Sequence, residues 1–282
     1  MANDFPHLFS PLSIRGATLK NRITFGAHTA NMAEDGLPGD RHLGYYVARA
    51  KGGAGMIVVE PVPAHRTGVL TRGNFRHEDD SIIPAFRKVT DACHGFGAVM
   101  IHQIYHIGAH GDRDNSWEPN WSPSGMPSYH DSDGSHAMTE GEIEEMIQAF
   151  IDAARRDYQA GFDGVELFAA YNALIDQFWS PLTNRRDDDW GGSVADRLRF
   201  TVRICEGIRK ATNDRFIIGL AISGAEPYPG GLSVEDKQEI IAWLDERGLI
   251  DYVTVGAGSY LNDFAHMVPS FMTEPMLGPP VA

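Results

Sequence analysis

Six short apolar runs recur along the chain: Ile23–Ala27, Gly55–Glu60, Ala98–Ile104, Gly164–Ala170, Phe216–Ile222 and Asp251–Val255. Each is bounded by glycine or polar residues and shows no wet face, the pattern of parallel strands covered on both sides. Helical periodicity between them predicts helices at Arg41–Ala50, Ile83–His94, Glu140–Gln159, Ala195–Ala211 and Val234–Arg247. Thr139 with Glu142 makes a capping box for the third helix, and Ser233 is the N-cap of the fifth. The stretch from Ile107 to Met138 is rich in Gly, Ser, Asp, Asn and Pro. A loop of that length inside a compact domain is usually functional.

Strict β-α alternation implies a parallel sheet, either doubly wound or closed into a barrel. A dinucleotide-binding reading requires GxGxxG after the first strand, where this chain has Ala27-His-Thr-Ala. The nearest imitation, Gly256-Ala-Gly-Ser-Tyr-Leu261, has leucine at the third glycine position. The α/β fold expected is therefore a (β/α)8 TIM barrel, incomplete because about six βα units are visible where eight are required. On this reading residues 1–282 form one barrel domain, truncated before strands seven and eight. A homo-oligomeric neighbour or a partner chain could also complete it. An open curl exposes two strand edges, and the loops after the last two strands are where such barrels commonly hold a phosphate.

Composition narrows the function classes. With 24 Lys plus Arg against 38 Asp plus Glu, the formal net charge of −14 argues against nucleic acid or an anionic membrane as partner. Cys93 and Cys205 form no CxxC pair, so a disulfide framework or cysteine metal cluster is not expected, and a reducing cytoplasm fits. The start lacks a basic region followed by an apolar core, and no apolar run is long enough to span a bilayer. A small molecule is the expected partner.

The segment Tyr171-Asn-Ala-Leu-Ile-Asp-Gln-Phe-Trp-Ser-Pro-Leu-Thr-Asn-Arg-Arg-Asp-Asp-Asp-Trp-Gly-Gly-Ser193 follows the fourth strand, at the end where α/β proteins bind ligands. It resembles the QFxSPxxNxRxDxWGGS signature of the old yellow enzyme family of FMN-dependent oxidoreductases. Leu8-Phe-Ser-Pro-Leu with Lys20-Asn-Arg22 resembles that family's opening, and Gln103-Ile-Tyr-His-Ile-Gly108 its QLxHxG strand. Within the family, Asp176-Gln-Phe-Trp-Ser-Pro and the segment near His266-Met-Val-Pro269 look most like the amine-oxidising branch of trimethylamine dehydrogenase and dimethylglycine demethylase.

The resemblance implies FMN as cofactor. It places Ala27, His28 and Thr29 along the isoalloxazine, Pro61 beside the ring, and Gln103 on the pyrimidine edge. Thr29 stands where trimethylamine dehydrogenase carries its flavin-linking cysteine, so a covalent 6-cysteinyl flavin is excluded. Ala221 falls where an arginine normally faces flavin N1, which implies a lower reduction potential or no flavin at all. The positions of the family's enone-binding pair and tyrosine proton donor are Phe168, Tyr171 and Ala173, which disfavour an NAD(P)H-dependent ene or dienoyl-CoA reductase. Phe168 and Tyr171 also replace the Tyr and His of the amine dehydrogenase triad, whose Asp would fall near Asn262 or Asp263.

The candidate substrate-binding residues are Tyr105, His106, Phe168, Tyr171 and Tyr260, with Tyr171, Tyr260 and Glu166 as candidate catalytic groups. An aromatic bowl suits a methylated ammonium, worth about 0.5–2 kcal/mol per cation–π contact. Such rings also serve simply as lids on a core. The expected activity is oxidative N-demethylation of a methylated amine or amino acid by hydride transfer to flavin N5. The rival from another class is a flavin-free binding subunit or inactive fragment. No metal is expected: His102 and His106, four apart on a strand, would sit roughly 13 Å apart, too far to share an ion. His110, His130 and His136 read as solvated loop residues, and Asp187–Asp189 as a solvated acidic loop.

Overall fold

The computed structural model describes residues 4–76, 79–111, 118–127, 134–226 and 228–260. Its centre is a six-stranded, all-parallel sheet built from β3 (Thr24–Phe25), β4 (Met56–Pro63), β5 (Val99–Tyr105), β8 (Gly164–Ala169), β9 (Ile217–Ser223) and β10 (Tyr252–Gly256). The strands lie side by side in chain order, each following its predecessor across a helical crossover. The crossover helices are α1 (Asp40–Lys51), α2 (Ile82–His94), α3 (Glu140–Gln159), α4 (Leu174–Trp179), α5 (Val194–Ala211) and α6 (Val234–Asp245). Two small pairs flank the sheet: the hairpin β1 (Leu12–Ile14) with β2 (Ala17–Leu19), and the bridge of β6 (Trp121–Ser122) with β7 (His136–Ala137). The architecture is an incomplete TIM barrel. No helix among the described residues is long and apolar enough to cross a membrane.

The helices start where local chemistry directs. Thr139 Oγ1 accepts from Glu142 N while the Glu142 carboxylate accepts from Thr139 N, closing the capping box of α3. Ser233 caps α6 in the same way with Asp236, and Ser193 caps α5 by accepting from Asp196 N. The strands differ from expectation mainly at their ends. The first run shrinks to Thr24–Phe25, with Ile23 38% exposed, because beyond β4 it has no neighbour on its other side among the described residues. The second run continues through Pro61 to Pro63, because a β-bulge absorbs the proline.

Two apolar clusters sit on opposite faces of the sheet. The larger lies outside, where Met100, Ile104, Val165, Leu167 and Ile218 meet Phe86, Phe150, Phe200 and Ile208 of the helices. The smaller fills one end of the interior, where Met56, Val58, Val99, Ile101 and Ile217 are covered by Leu12, Ile14 and Leu19 of the hairpin. The free edges, β3 and β10, both face one cavity of about 430 Å³ that also touches Leu12, Ile14 and Leu19. On the outer flank of β10, an apolar groove of about 370 Å³ runs between the strand and α6, lined by Ile241, Ile250, Val253 and Val255.

Asp163 fastens the start of β8 to its neighbours: its Oδ2 accepts from Met100 N (2.7 Å) and pairs with His94 Nε2 (2.9 Å) at the end of α2. The hydrogen bond to Asp163, and then its charge, raise the His94 pKa against a smaller opposing effect of burial. A raised folded-state pKa means that protonated His94 stabilises the fold below about pH 6.5, and that this contribution fades as pH rises through the folded value. In urea unfolding, wild type should exceed His94→Gln at pH 5.5, and the gap should shrink by pH 8.5. A gap that stayed constant or widened would show that the pair does not titrate with folding.

Candidate functional site

The carboxyl ends of all six strands gather at one rim, and a cavity of about 290 Å³ opens there. Ala27, His28 and Thr29 enter it from the loop after β3, and Pro61 from the bulge in β4. Gln103 and Tyr105 are alternate, inward-facing residues of β5; Phe168 is the penultimate residue of β8, and Tyr171 and Tyr260 stand in the loops after β8 and β10. Leu70 completes the lining.

The bulge shapes the first wall. Val59 pairs with His102 and Val62 with Ile104, so Glu60 and Pro61 together oppose Gln103. Pro61 meets the cavity while Glu60, 1% exposed, turns toward α1. There its Oε2 accepts from Ala30 N (2.8 Å) and Asn31 N (3.2 Å), and its Oε1 from Tyr46 Oη (3.2 Å), with His42 Nε2 also 3.2 Å away. One buried carboxylate therefore anchors the loop carrying Ala27, His28 and Thr29. Nothing in the sequence pattern singled out Glu60, which ends an apolar run like an ordinary boundary residue.

The aromatic wall depends on an unusual backbone. Tyr171 (φ 59°) and Asn172 (φ 67°) are consecutive left-handed residues, and neither is glycine. That conformation costs roughly 1–2 kcal/mol per L-residue, less for Asn, so the surroundings must enforce it. Tyr171 N donates to Ser223 Oγ (2.9 Å) and Tyr171 O accepts from Tyr260 N (2.9 Å). Asn172 N donates to Asp176 Oδ2 (3.1 Å) and Asn172 O accepts from Gln177 Nε2 (2.7 Å). Its side chain meets His110 Nε2 (3.1 Å) and Tyr228 Oη (3.2 Å). The result packs Phe168 against Tyr171 (centroids 5.7 Å) and Tyr171 edge-on to Tyr260 (5.8 Å).

Behind this turn lie three buried charges. Lys237 of α6 pairs with Asp176 of α4 and lies 5.1 Å from the Trp179 ring centroid. Glu226 accepts from Ser180 Oγ (2.9 Å) and Leu232 N (2.6 Å). Burial raises the Glu226 pKa and the Asp176 charge adds to it, while Lys237 opposes both. A trace of this cluster was visible in the chain, since Lys237 falls in the apolar stripe with Ile240 and Leu244, where a lone lysine needs a partner.

The interior below the cavity carries Glu166, 1% exposed and absent from the lining. Its Oε1 accepts from Gln103 Nε2 (2.7 Å) and its Oε2 from Thr254 Oγ1 (2.7 Å). Burial raises its pKa, partly offset by these hydrogen bonds. His106 also lies apart from the cavity: it faces outward, fully buried, with Nδ1 accepting from Gly108 N (3.0 Å) and Nε2 bonded to Thr67 Oγ1 (2.9 Å). Ala221 sits on β9 beside Phe168, again outside the lining. His110 corrects the expectation of a solvated side chain, since it is fully buried against Asn172. His136 and Asp187–Asp189 are exposed. His130, Asn262, Asp263 and the His266–Pro269 segment lie outside the described residues.

Burial raises the Tyr171 pKa, and burial with the neighbouring Tyr171 raises that of Tyr260. At neutral pH both hydroxyls therefore keep their protons and can donate hydrogen bonds but cannot act as bases. The described lining contains neither arginine nor lysine. The site is a slot of mixed polarity, with the Gln103 amide, Thr29, His28 and the tyrosine hydroxyls for polar recognition beside the aromatic rings of Phe168, Tyr171 and Tyr260.

Comparison with known proteins agrees with this architecture. The model of the NADH:flavin oxidoreductase / NADH oxidase family matches residues 7–267. The chain is 36% identical over 282 aligned positions to an N,N-dimethylglycine/sarcosine dehydrogenase of Chromohalobacter salexigens, covering 97% of this chain and 40% of that protein. It is 38% identical to a probable N-methylproline demethylase of Rhizobium meliloti, over 93% of this chain and 39% of that protein. A solved complex of 2-naphthoyl-CoA reductase superposes with a TM-score of 0.83 at 33% identity, over 89% of this chain and 40% of that chain. The chain thus spans about 40% of the length of these curated relatives.

The buried charges behind the turn should dominate local stability. Lys237→Met leaves two carboxylates without their cation and should cost about 3–5 kcal/mol in denaturant unfolding. A loss below about 1 kcal/mol would show that the lysine does not hold this corner.

Proposed function

The chain belongs to the NADH:flavin oxidoreductase / NADH oxidase family, FMN-dependent oxidoreductases, and on that premise we propose that its rim cavity serves the oxidative N-demethylation of a methylated amine or amino acid. The observation that carries this reading is the aromatic wall of Phe168, Tyr171 and Tyr260 facing the slot between Thr29, Pro61 and Gln103. The names of the two curated relatives above point to the same substrate class.

The isoalloxazine part of FMN fits the residues present, while the described lining holds no arginine or lysine for its phosphate. Aromatic rings and Pro61 line the slot, and Gln103 Oε1 takes no hydrogen bond from the described residues, which leaves an acceptor for a ligand N–H. Thr29 offers a hydroxyl. When bound, FMN supplies the hydride acceptor. The protein's part is to hold, orient and exclude water. Aromatic faces attract an N-methylated cation by about 0.5–2 kcal/mol per contact and favour the cationic iminium product in the same way. Loss of hydride from the methyl group gives that iminium, and water then releases formaldehyde and the demethylated amine. With both tyrosines protonated, no described residue of the wall acts as base toward the ammonium. Only a neutral amine has the lone pair that expels a hydride, so the amine reacts after its proton has passed to solvent or to His28, the imidazole of the described lining. We further propose that residues 1–282 form one barrel domain whose two edges, β3 and β10, are covered in the working enzyme by further βα units or a partner chain.

A second reading, an NAD(P)H-dependent reductase of enoyl or dienoyl thioesters, has the 2-naphthoyl-CoA reductase likeness in its favour. Against it, Phe168 and Ala173 offer nothing that could polarise a carbonyl.

Loading with FMN, desalting and anaerobic mixing with N-methylated amines and amino acids separates these readings. The expected result is bleaching of the flavin band, one formaldehyde per flavin, and a rate that rises with pH along the substrate amine's own titration. Tyr171→Leu and Tyr260→Leu should each weaken substrate binding by about 0.5–2 kcal/mol. Bleaching by NADH with turnover of an enoyl thioester, and none by amines, would replace the proposal with the second reading. A colourless protein would favour a flavin-free binding role.

A further inference from the structure

The amide of Gln103 has a neighbour that decides which way it points. Gln103 on β5 and Glu166 on β8 are direct register partners, with Gly219 next on β9 and Tyr252 next on β10. These residues form one layer of the interior, immediately below the cavity. A Cβ on Gly219 would lie 2.2 Å from the Tyr252 ring, so the glycine makes the space in which that ring reaches toward Glu166. The Tyr252 hydroxyl is buried beside the carboxylate, and burial followed by the Glu166 charge raises its pKa, keeping it protonated. Around Glu166, Gln103 Nε2 and Thr254 Oγ1 donate, and the protonated Tyr252 hydroxyl stands beside the carboxylate without a hydrogen-bond partner among the described residues.

As an ionised carboxylate, which the hydrogen bonds from Gln103 and Thr254 favour against burial, Glu166 only accepts, and the Gln103 amide then presents its NH₂ side to it. Turning the amide over would set its carbonyl oxygen against the carboxylate and leave the NH₂ in the cavity. The 2.7 Å Nε2–Oε1 contact is assigned in this orientation, which satisfies both groups and leaves Gln103 Oε1 for whatever occupies the slot.

We propose that Glu166 is a positioning residue that locks Gln103 as a hydrogen-bond acceptor, so that this wall selects a ligand carrying an imide-type N–H. The inference rests on the FMN reading above and deepens it. The pyrimidine edge of a flavin alternates carbonyl, N–H, carbonyl, and a fixed acceptor can pair only with its N–H. It also gives Glu166 a role although it touches nothing in the cavity.

The test compares FMN with 3-deaza-FMN, in which a C–H replaces the imide N–H without added bulk. Wild type should bind FMN at least about tenfold more tightly, the worth of one hydrogen bond to a buried, pre-aligned acceptor. In Glu166→Gln the facing amide both donates and accepts, so Gln103 is free to turn over. The affinity ratio should then fall to within about threefold. Thr254→Val removes a donor from the same carboxylate but leaves Gln103 locked, and should keep the wild-type ratio. If Glu166 merely supported the fold, Glu166→Gln would weaken both flavins in proportion and leave the ratio unchanged, which overturns the proposal.

A measurement without flavin separates this inference from the cofactor reading. In the wild-type protein one Gln103 side-chain amide proton should be shifted strongly downfield by the carboxylate, and should return toward the free-glutamine position in Glu166→Gln. An unshifted proton in wild type overturns the proposal whatever the flavins do. A shifted proton with neither flavin binding supports the locked amide and overturns the cofactor reading alone.

Discussion

Strand alternation is the constraint on which the rest of this molecule depends. A parallel strand buried on both faces sends every second side chain inward, so the interior of the curl is a stack of layers with little freedom of choice. Val99, Ile101, Gln103 and Tyr105 face in along β5, while Met100, His102 and Ile104 face out toward the helices. The lower layers are apolar and capped by the β1–β2 hairpin. The layer holding Gln103 and Glu166 is polar, and above it the rim opens. The polarity gradient from floor to mouth is thus written in alternate residues of the strands.

Only at β4 is the alternation broken, and the break is put to use. The extra residue at Glu60–Pro61 lets one position face the cavity and its neighbour reach back to the loop after β3. At β8 the chain leaves the sheet through two left-handed residues, held by hydrogen bonds on all four of their backbone polar groups. Both devices place a ring at the rim, Pro61 in one case and Tyr171 in the other. Both rely on buried carboxylates, Glu60 and Asp176, whose partners come from distant parts of the chain.

Much of this fold was legible in the sequence. The apolar runs and helical patterns located all six sheet strands and the five long helices, because burial on both faces leaves a clear signal and the caps of α3 and α6 are local. The hairpin, the short α4 and the β6–β7 bridge were not legible, since each is fixed by tertiary contacts rather than by its own pattern. At the site, the resemblance grouped Thr29, Pro61, Gln103, Tyr105 and Tyr171, which the structure brings to one cavity. It could not show that His106 faces away or that His110 is buried, because one loop residue's direction depends on the turn before it. The signature segment that looked most like a ligand loop is largely scaffold. Asn184 Nδ2 bonds Phe178 O and Trp190 O, Gln177 accepts from Ala109 N, and Arg186 reaches Pro123 O and Met138 O.

The outer edge of β10 carries a wider consequence. Thr254 and Val255 are exposed there, the strand pairs only with β9 among the described residues, and it carries no proline, lysine or bulge. Natural sheets usually blunt such an edge with one of those devices. Left bare, its backbone donors and acceptors, flanked by an apolar groove, form a template on which a second extended segment can nucleate. Edge pairing at this strand therefore works against solubility at close range, where the repulsion of an acidic chain of net charge −14 is weakened by added salt.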